Sequence, residues 1–501
     1  MEAAIIAGRY NPICMRQITA LAGLAFSILP ALALTMQPQV QQRIERIENG
    51  LLPPIVVKGR QLKTAKLEDR MRELQIPAVS VAVFVDGKIE WLRAWGLADV
   101  AERRRADPET RFQAASISKP VAAAAALALG SRGRLTVDGD INTYLKSWKL
   151  PANEFTAKQT VTLKHLLTHS AGVTVSGFRG YAQGEEVPTL LQLLDGAKPA
   201  NSPAVRVDVP VGSRWRYAGG GYTIVQLAVE DETGKPFAQA ARELVLEPLG
   251  MSRSTFVQPL PADLRDKAAV AYRGSGEAIA GRWHTYPEQA AAGLWTTPED
   301  LARFAIGVQR MASGRGPKVM SQELAARMVN RQFEDFGLGF AIEGEGPSAT
   351  FSHGGSNAGF RCYLMAFRDT ASGVAIMTNA DSAGPILQEI ARAVAREYGW
   401  AAPKPVERTI GTSDPSAYKD FAGLYAVPIR SPPVMIQIAA DADRLYRVVN
   451  DTRFELLPEN ATTFFATDSD FRIEFVRDAS GKVTEARVFQ GATARTATKR
   501  Q

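Results

Sequence analysis

Ser116-Ile117-Ser118-Lys119 runs directly into an alanine-rich stretch, Val121 to Leu129. On a helix, residues three apart share a face, so this spacing lets the Ser116 hydroxyl meet the Lys119 amine. A free hydroxyl is a poor nucleophile, but a lysine whose pKa is lowered by burial and nearby positive charge can take its proton near neutral pH. Pro120 falls in the first helical turn, where a missing N–H does least harm. Two later segments carry matching chemistry. Tyr217 stands in Arg216-Tyr217-Ala218-Gly219-Gly220-Gly221, ahead of an apolar stretch, Tyr222 to Val229, that predicts a helix ending at Gly234. Ser352-His353-Gly354-Gly355-Ser356 precedes Phe360 to Phe367, whose aromatic and apolar run predicts a strand.

Serine with lysine, then tyrosine, then a basic residue followed by glycine is the order of the penicillin-recognising serine hydrolases. The chain resembles the β-lactamase-related serine hydrolases, a family that includes class C β-lactamases, D-alanyl-D-alanine carboxypeptidases, D-aminopeptidases and esterases. The similarity continues through Leu166-Leu167-Thr168-His169-Ser170-Ala171-Gly172, Glu247-Pro248-Leu249-Gly250-Met251 and Ala292-Gly293-Leu294-Trp295-Thr296-Thr297-Pro298-Glu299-Asp300-Leu301, and covers roughly residues 70–400.

The resemblance implies an amide- or ester-cleaving enzyme that forms an acyl-enzyme on Ser116, with Lys119 as its base. Tyr217 would share proton transfer and pass the proton to the leaving group. His353-Gly354-Gly355 would be an H-x-G form of the family's K-T-G strand, with His353 facing the substrate and the glycines lining it. The backbone N–H groups of Ser116 and Ser356 would form the oxyanion hole. The substrate would be a small molecule or peptide-like, and no cofactor or metal is implied.

Two positions depart from the family pattern. Gly219 stands where the family usually has the asparagine of Y-x-N, which removes an amide that helps hold the lysine and the substrate. A catalytically silent binding or sensor protein on the same fold is therefore the alternative. His353 replaces a lysine and is mostly neutral at pH 7, so it pulls less on a substrate carboxylate. Penicillin binding is expected to suffer more than acyl transfer.

Other chemistries fit less well. His165 and His169 are four apart on an expected helix, yet Leu166 replaces the glutamate of H-E-x-x-H. Gly219 to Gly221 lack the lysine and Ser/Thr of a P-loop and read as a turn or helix entry. His353-Gly354-Gly355 resembles the HGGG oxyanion motif of α/β-hydrolases, but no G-x-S-x-G elbow follows it. Of the two cysteines, Cys14 lies in or before the leader and Cys362 reads as a small buried residue on the strand after His353.

The chain has 501 residues, 46% of them hydrophobic, enough for two domains and a leader. Its net charge is +7, but the basic residues are scattered, so nucleic-acid binding is not implied. Residues 1–35 read as a signal peptide for periplasmic or secreted export, with Arg16 before an apolar run, Ile18 to Leu34, and Ala31-Leu32-Ala33 as the cleavage pattern. Met15 is an alternative start, and an uncleaved membrane anchor is the alternative fate of this run.

Residues 36–69 read as a lead-in helix and a Pro53-Pro54 linker, 70–400 as the hydrolase domain and 401–416 as a second linker. In the hydrolase domain Val79 to Val85, turned by Asp86-Gly87-Lys88 onto Ile89 to Leu92, predicts a hairpin, and the middle, Ser116 to Ala325, is expected to be mostly helical. The expected fold is α+β, an antiparallel sheet flanked by helices with the active site where sheet and helical region meet. Residues 417–501 carry six short apolar stretches between turns, which predicts a small β-meander or barrel resembling the lipocalin-like domains often appended to this family.

Overall fold

The computed structural model describes residues 38–428, 433–490 and 493–500, so the expected signal peptide and Cys14 lie outside the described residues. The hydrolase domain is built on a seven-stranded antiparallel sheet. Its strands are β1 (Ala78–Val85), β2 (Lys88–Asp99), β3 (Arg104–Arg105), β4 (Ala341–Glu343), β5 (Thr350–Asn357), β6 (Phe360–Phe367) and β7 (Gly373–Thr378). They lie in the order β3-β2-β1-β7-β6-β5-β4.

The apolar run of β1 is continuous because both faces of the sheet are covered. Val79, Val81 and Val83 pack with helices α1 (Pro38–Glu48) and α5 (Gly384–Glu397) through Ile44, Ile47, Ile386 and Ile390. Ala82 and Phe84 face the other way, into the main core with α2 (Ser118–Gly130), α3 (Gly219–Thr233) and α4 (Pro298–Ala312).

Helix α2 is buried from Ser118 to Leu129, which its small alanine side chains allow, and α3 is buried from Gly219 to Val229 before ending on Gly234 in the left-handed conformation. Thr297 caps α4, its side chain accepting from the Asp300 N–H, with Pro298 in the first turn.

The stretch from Ser116 to Ala325, expected as mostly helical, holds α2, α3 and α4 but is otherwise short helices joined by long loops. Glycine and proline interrupt it repeatedly, as at Gly172, Gly177, Gly180, Pro199, Pro203 and Pro210. One such short helix, Leu163–Leu167, ends before His169, so the two histidines do not share a helix face. His165 Nδ1 accepts from the Thr162 N–H, and His169 has φ +58°.

The C-terminal region is a closed eight-stranded barrel, from Gly423–Val427 to Thr493–Lys499, with neighbouring strands consecutive in sequence. Its interior is filled by Tyr418, Phe421, Tyr425, Phe464 and Phe475, with Phe421 and Phe475 stacked at 4.4 Å. Residues from both expected linkers meet: Ile55–Val57 pairs in parallel with Val406–Arg408. Ile55 and Val57 then pack on Leu457 and Phe465 of the barrel, and Arg408 bonds Glu459 at 3.0 Å.

Candidate active site

Ser116 sits in a tight turn, Ala115–Ile117, that leads into α2. Ala115 is held at φ +51°, a strained conformation for a residue with a Cβ, and strain of this kind clusters at functional sites. Neighbouring segments over-determine the turn. The Ala114 N–H donates to Leu294 O, the Leu294 N–H donates to Ser118 Oγ, and the Cys362 thiol donates to Gln113 O. Cys362 is buried, and burial pushes its thiol up to about 12, so it stays protonated.

Lys119 is only 2% exposed, and its Nζ donates to Ser116 Oγ at 3.0 Å and to Ala291 O at 2.8 Å. No carboxylate pairs with it among the described ion pairs. Its Nζ instead lies 5.0 Å from the Tyr217 ring centre and 5.8 Å from that of Tyr222. The Ala291 carbonyl is presented by a one-turn helix, Gln289–Ala292, that starts at Glu288. Glu288 is fully buried, neither carboxyl oxygen meets a donor from another residue, and burial pushes its pKa up to about 8.

Tyr217 is half-buried just before α3. Its ring packs on His169 at 4.3 Å and faces His353 at 6.3 Å. His169 is buried, and its Nδ1 accepts the Ala218 N–H at 3.1 Å, which fixes the loop carrying Tyr217. Burial first, then the neighbouring Lys119, holds His169 well below the ordinary histidine range. The position of the missing asparagine is filled from elsewhere. A Cβ on Gly219 would stand 2.8 Å from Phe178 Cε2 and 3.4 Å from Ser176 O, so the Phe178 ring occupies the room that a side chain at 219 would need.

Strand β5 delivers the third motif. Gly355 must be glycine, because a Cβ there would lie 2.3 Å from Ala114 O; the close approach brings the strand against the Ser116 turn. Asn357 locks that contact by donating from Nδ2 to Gln113 Oε1 and to Ala292 O. Edge strand β4 pairs only with residues 350–352, which leaves the β5 edge from His353 onward open toward the cleft.

His353 is buried, and its Nδ1 lies 2.6 Å from Gly354 O. A carbonyl can only accept, so Nδ1 carries the proton and Nε2, without a protein partner, presents a lone pair. Burial, reinforced by Lys119, lowers the His353 pKa to about 3. The side chain therefore offers neither the charge nor the N–H donor that would hold a carboxylate.

Ser116, Tyr217, His353, Gly354, Gly355 and Ser356 line one cavity of about 550 Å³, with Lys119 buried behind Ser116. Every candidate residue from the sequence thus converges on one cleft. Sequence reasoning did not assign roles to His169, Phe178, Trp215, Phe336 or Glu288. The Leu166–Gly172 similarity contained His169, but the packing of these side chains comes from loops distant in sequence. Among the described residues, no cluster of three or more His, Cys, Asp or Glu is placed to hold a metal ion.

The fold agrees with comparison to known proteins. Residues 64–398 match the Beta-lactamase family model, and the chain belongs to that family of serine hydrolases. Residues 407–499 match a domain of unknown function, DUF3471. Over 314 residues the chain is 28% identical to "Esterase EstB" of Burkholderia gladioli, covering 56% of this chain and 76% of that one. The fold is shared with the octameric penicillin-binding protein homologue from Pyrococcus abyssi (TM-score 0.57, 21% identity, 86% of this chain and 98% of that chain). It is also shared with D-amino acid amidase from Ochrobactrum anthropi SV3 (TM-score 0.55, 19% identity, 72% and 98%).

Proposed function

We propose that this protein cleaves an ester or amide through an acyl-enzyme on Ser116. The observation that carries the reading is the 3.0 Å hydrogen bond between the Lys119 amine and Ser116 Oγ, made at the base of an open cleft by a lysine with no carboxylate partner among the described residues. Lys119 takes the hydroxyl proton as Ser116 attacks. Tyr217, which the lysine faces, relays a proton to the leaving group. The Ser116 and Ser356 N–H groups stabilise the charge on the carbonyl oxygen, Ser356 being brought there by the glycine contact at 355. The role of the missing asparagine is divided, with Ala291 O holding the lysine and Phe178 filling the space. The intact Ser116–Lys119 pair supports catalysis over a silent sensor.

The apolar run near the N-terminus supports export, by a cleaved signal or a retained anchor; no described helix is long and apolar enough to cross a membrane. The test is turnover of neutral esters by Ser116→Ala and Lys119→Ala. Each should lose on the order of a thousandfold or more in kcat, because nucleophile and base act as a unit. Full activity in either variant would overturn the assignment.

A further inference from the structure

The cavity at Ser116 is walled on one side by aromatic rings. Trp215 is 37% exposed at its rim, an unusual position for a large aromatic, and packs on Phe336 at 5.6 Å and Tyr217 at 6.2 Å. The Trp215 backbone N–H donates to Glu334 Oε1 at 3.0 Å, tying the loop that carries Trp215 and Tyr217 to the turn that carries Phe336.

On the other side the cavity crosses β5 at Gly354. Gly354 pairs with Tyr363 in the sheet and is exposed, and the nearest atom to a Cβ built there is 3.9 Å away, so the strand crest is open at this residue. Beyond the crest the same cavity continues over Tyr363, Leu387 and Gln388.

Charge is scarce along this path. The only formally charged side chain among the described lining residues is Arg361, whose Nη1 is engaged by Asn357 O, Phe360 O and Asp381. His353 is neutral. Tyr217, the proposed proton donor to the leaving group, lines this cavity beside Trp215, which puts the departing group next to the aromatic wall.

Building on the reading of Ser116 as nucleophile, we infer that the cleft selects substrates with a bulky, neutral, apolar or aromatic leaving group, which lies against Trp215 and Phe336 and passes over Gly354 onto the Tyr363–Leu387 shelf. Gly354 is the specificity-determining residue, because any side chain there closes the crest. Trp215 supplies contact area to the leaving group at little entropic cost, since its ring already packs on Phe336 and Tyr217.

The experiment compares kcat/KM for 2-naphthyl acetate with that for methyl acetate in the full chain, in wild type, Gly354→Val and Trp215→Ala. The two esters share an acyl group, so the ratio within each protein reads the leaving-group site and cancels any general loss of activity. The ratio should fall at least fivefold in both variants relative to wild type. A ratio that fails to fall fivefold in either variant overturns the inference. Ser116→Ala, run alongside, separates the two levels. If that variant is inactive while the ratios hold, the leaving-group assignment alone is wrong; if it keeps full activity, the nucleophile assignment is wrong and the inference falls with it.

Discussion

Replacing Glu288 by glutamine removes a carboxyl that folding forces into its protonated form. Burial raises this group from the ordinary 4.5 to about 8, and no donor from another residue offsets that cost. The unfolded chain releases the proton near 4.5, so between 4.5 and 8 folding takes up a proton and wild-type stability falls as pH rises through that window. Each pH unit corresponds to about 1.4 kcal/mol, which gives a penalty of about 3 kcal/mol at pH 7 and at most ~5 kcal/mol above pH 8. Glutamine carries no proton to release, so Glu288→Gln escapes the penalty. His353 and His169, both held below the ordinary range, act with the opposite sign: their contribution is lost as pH falls from about 6.5. That effect is common to both proteins and cancels in the difference. Thermal melts from pH 4.5 to 9 should show the variant matching wild type at the acid end and gaining on it by several °C up to pH 8, with a constant gap above. A gap that is the same at pH 5 and pH 8 would refute the reasoning, because it would mean that Glu288 titrates as an ordinary carboxyl in the fold.

Three further outcomes follow from the site. Tyr217→Phe should lower kcat much more than it raises KM, since the hydroxyl acts in the transition state; a stability loss at near-normal kcat would mark the residue as structural. Gly219→Asn, which restores the family residue, should destabilise the protein by ~1–3 kcal/mol by overpacking against Phe178, and Phe178→Ala should recover part of that loss in the double variant. Simple additivity of the two costs in denaturant melts would contradict this contact. His353→Lys should raise kcat/KM for nitrocefin relative to p-nitrophenyl butyrate by roughly tenfold, because it adds a charged donor where the wild type presents only a lone pair. An unchanged ratio would show that residue 353 does not set the substrate class.

The candidate cleft was legible in the sequence where chemistry and local structure coincide. Ser116 and Lys119 are brought together by one helical start, Tyr217 stands just before another, and His353 to Ser356 lie on a strand beside its hairpin turn. The β1–β2 hairpin and strand β6 were equally plain, because burial on both faces makes β1 a continuous apolar run ahead of the Asp86-Gly87 turn and leaves β6 rich in aromatic and apolar residues. What stayed hidden depends on long-range packing. Phe178 is separated from Gly219 by a loop whose course no periodicity reveals, and Trp215 meets Phe336 only because two loops close over the cleft. In the barrel, the six apolar stretches became strands, but two of the eight strands were missed, the first, Gly423–Val427, and the closing one, Thr493–Lys499. Its sequence, T-A-R-T-A-T-K, carries no large apolar residue, and its place is set by pairing with Val483–Gln490 and Gly423–Val427. Gly219 looked like a loss of function in the sequence, and the fold shows the space filled by a different residue.

The central claim is that Ser116 is an activated nucleophile. Its most direct test is mass spectrometry of the intact protein and its peptides after treatment with a fluorophosphonate probe. The wild type should gain one adduct, mapped to the peptide containing Ser116, and Lys119→Ala should label far more slowly because the hydroxyl has lost the amine 3.0 Å away. A wild-type protein that takes up no probe at Ser116, or a Lys119→Ala variant that labels at the wild-type rate, would contradict the account.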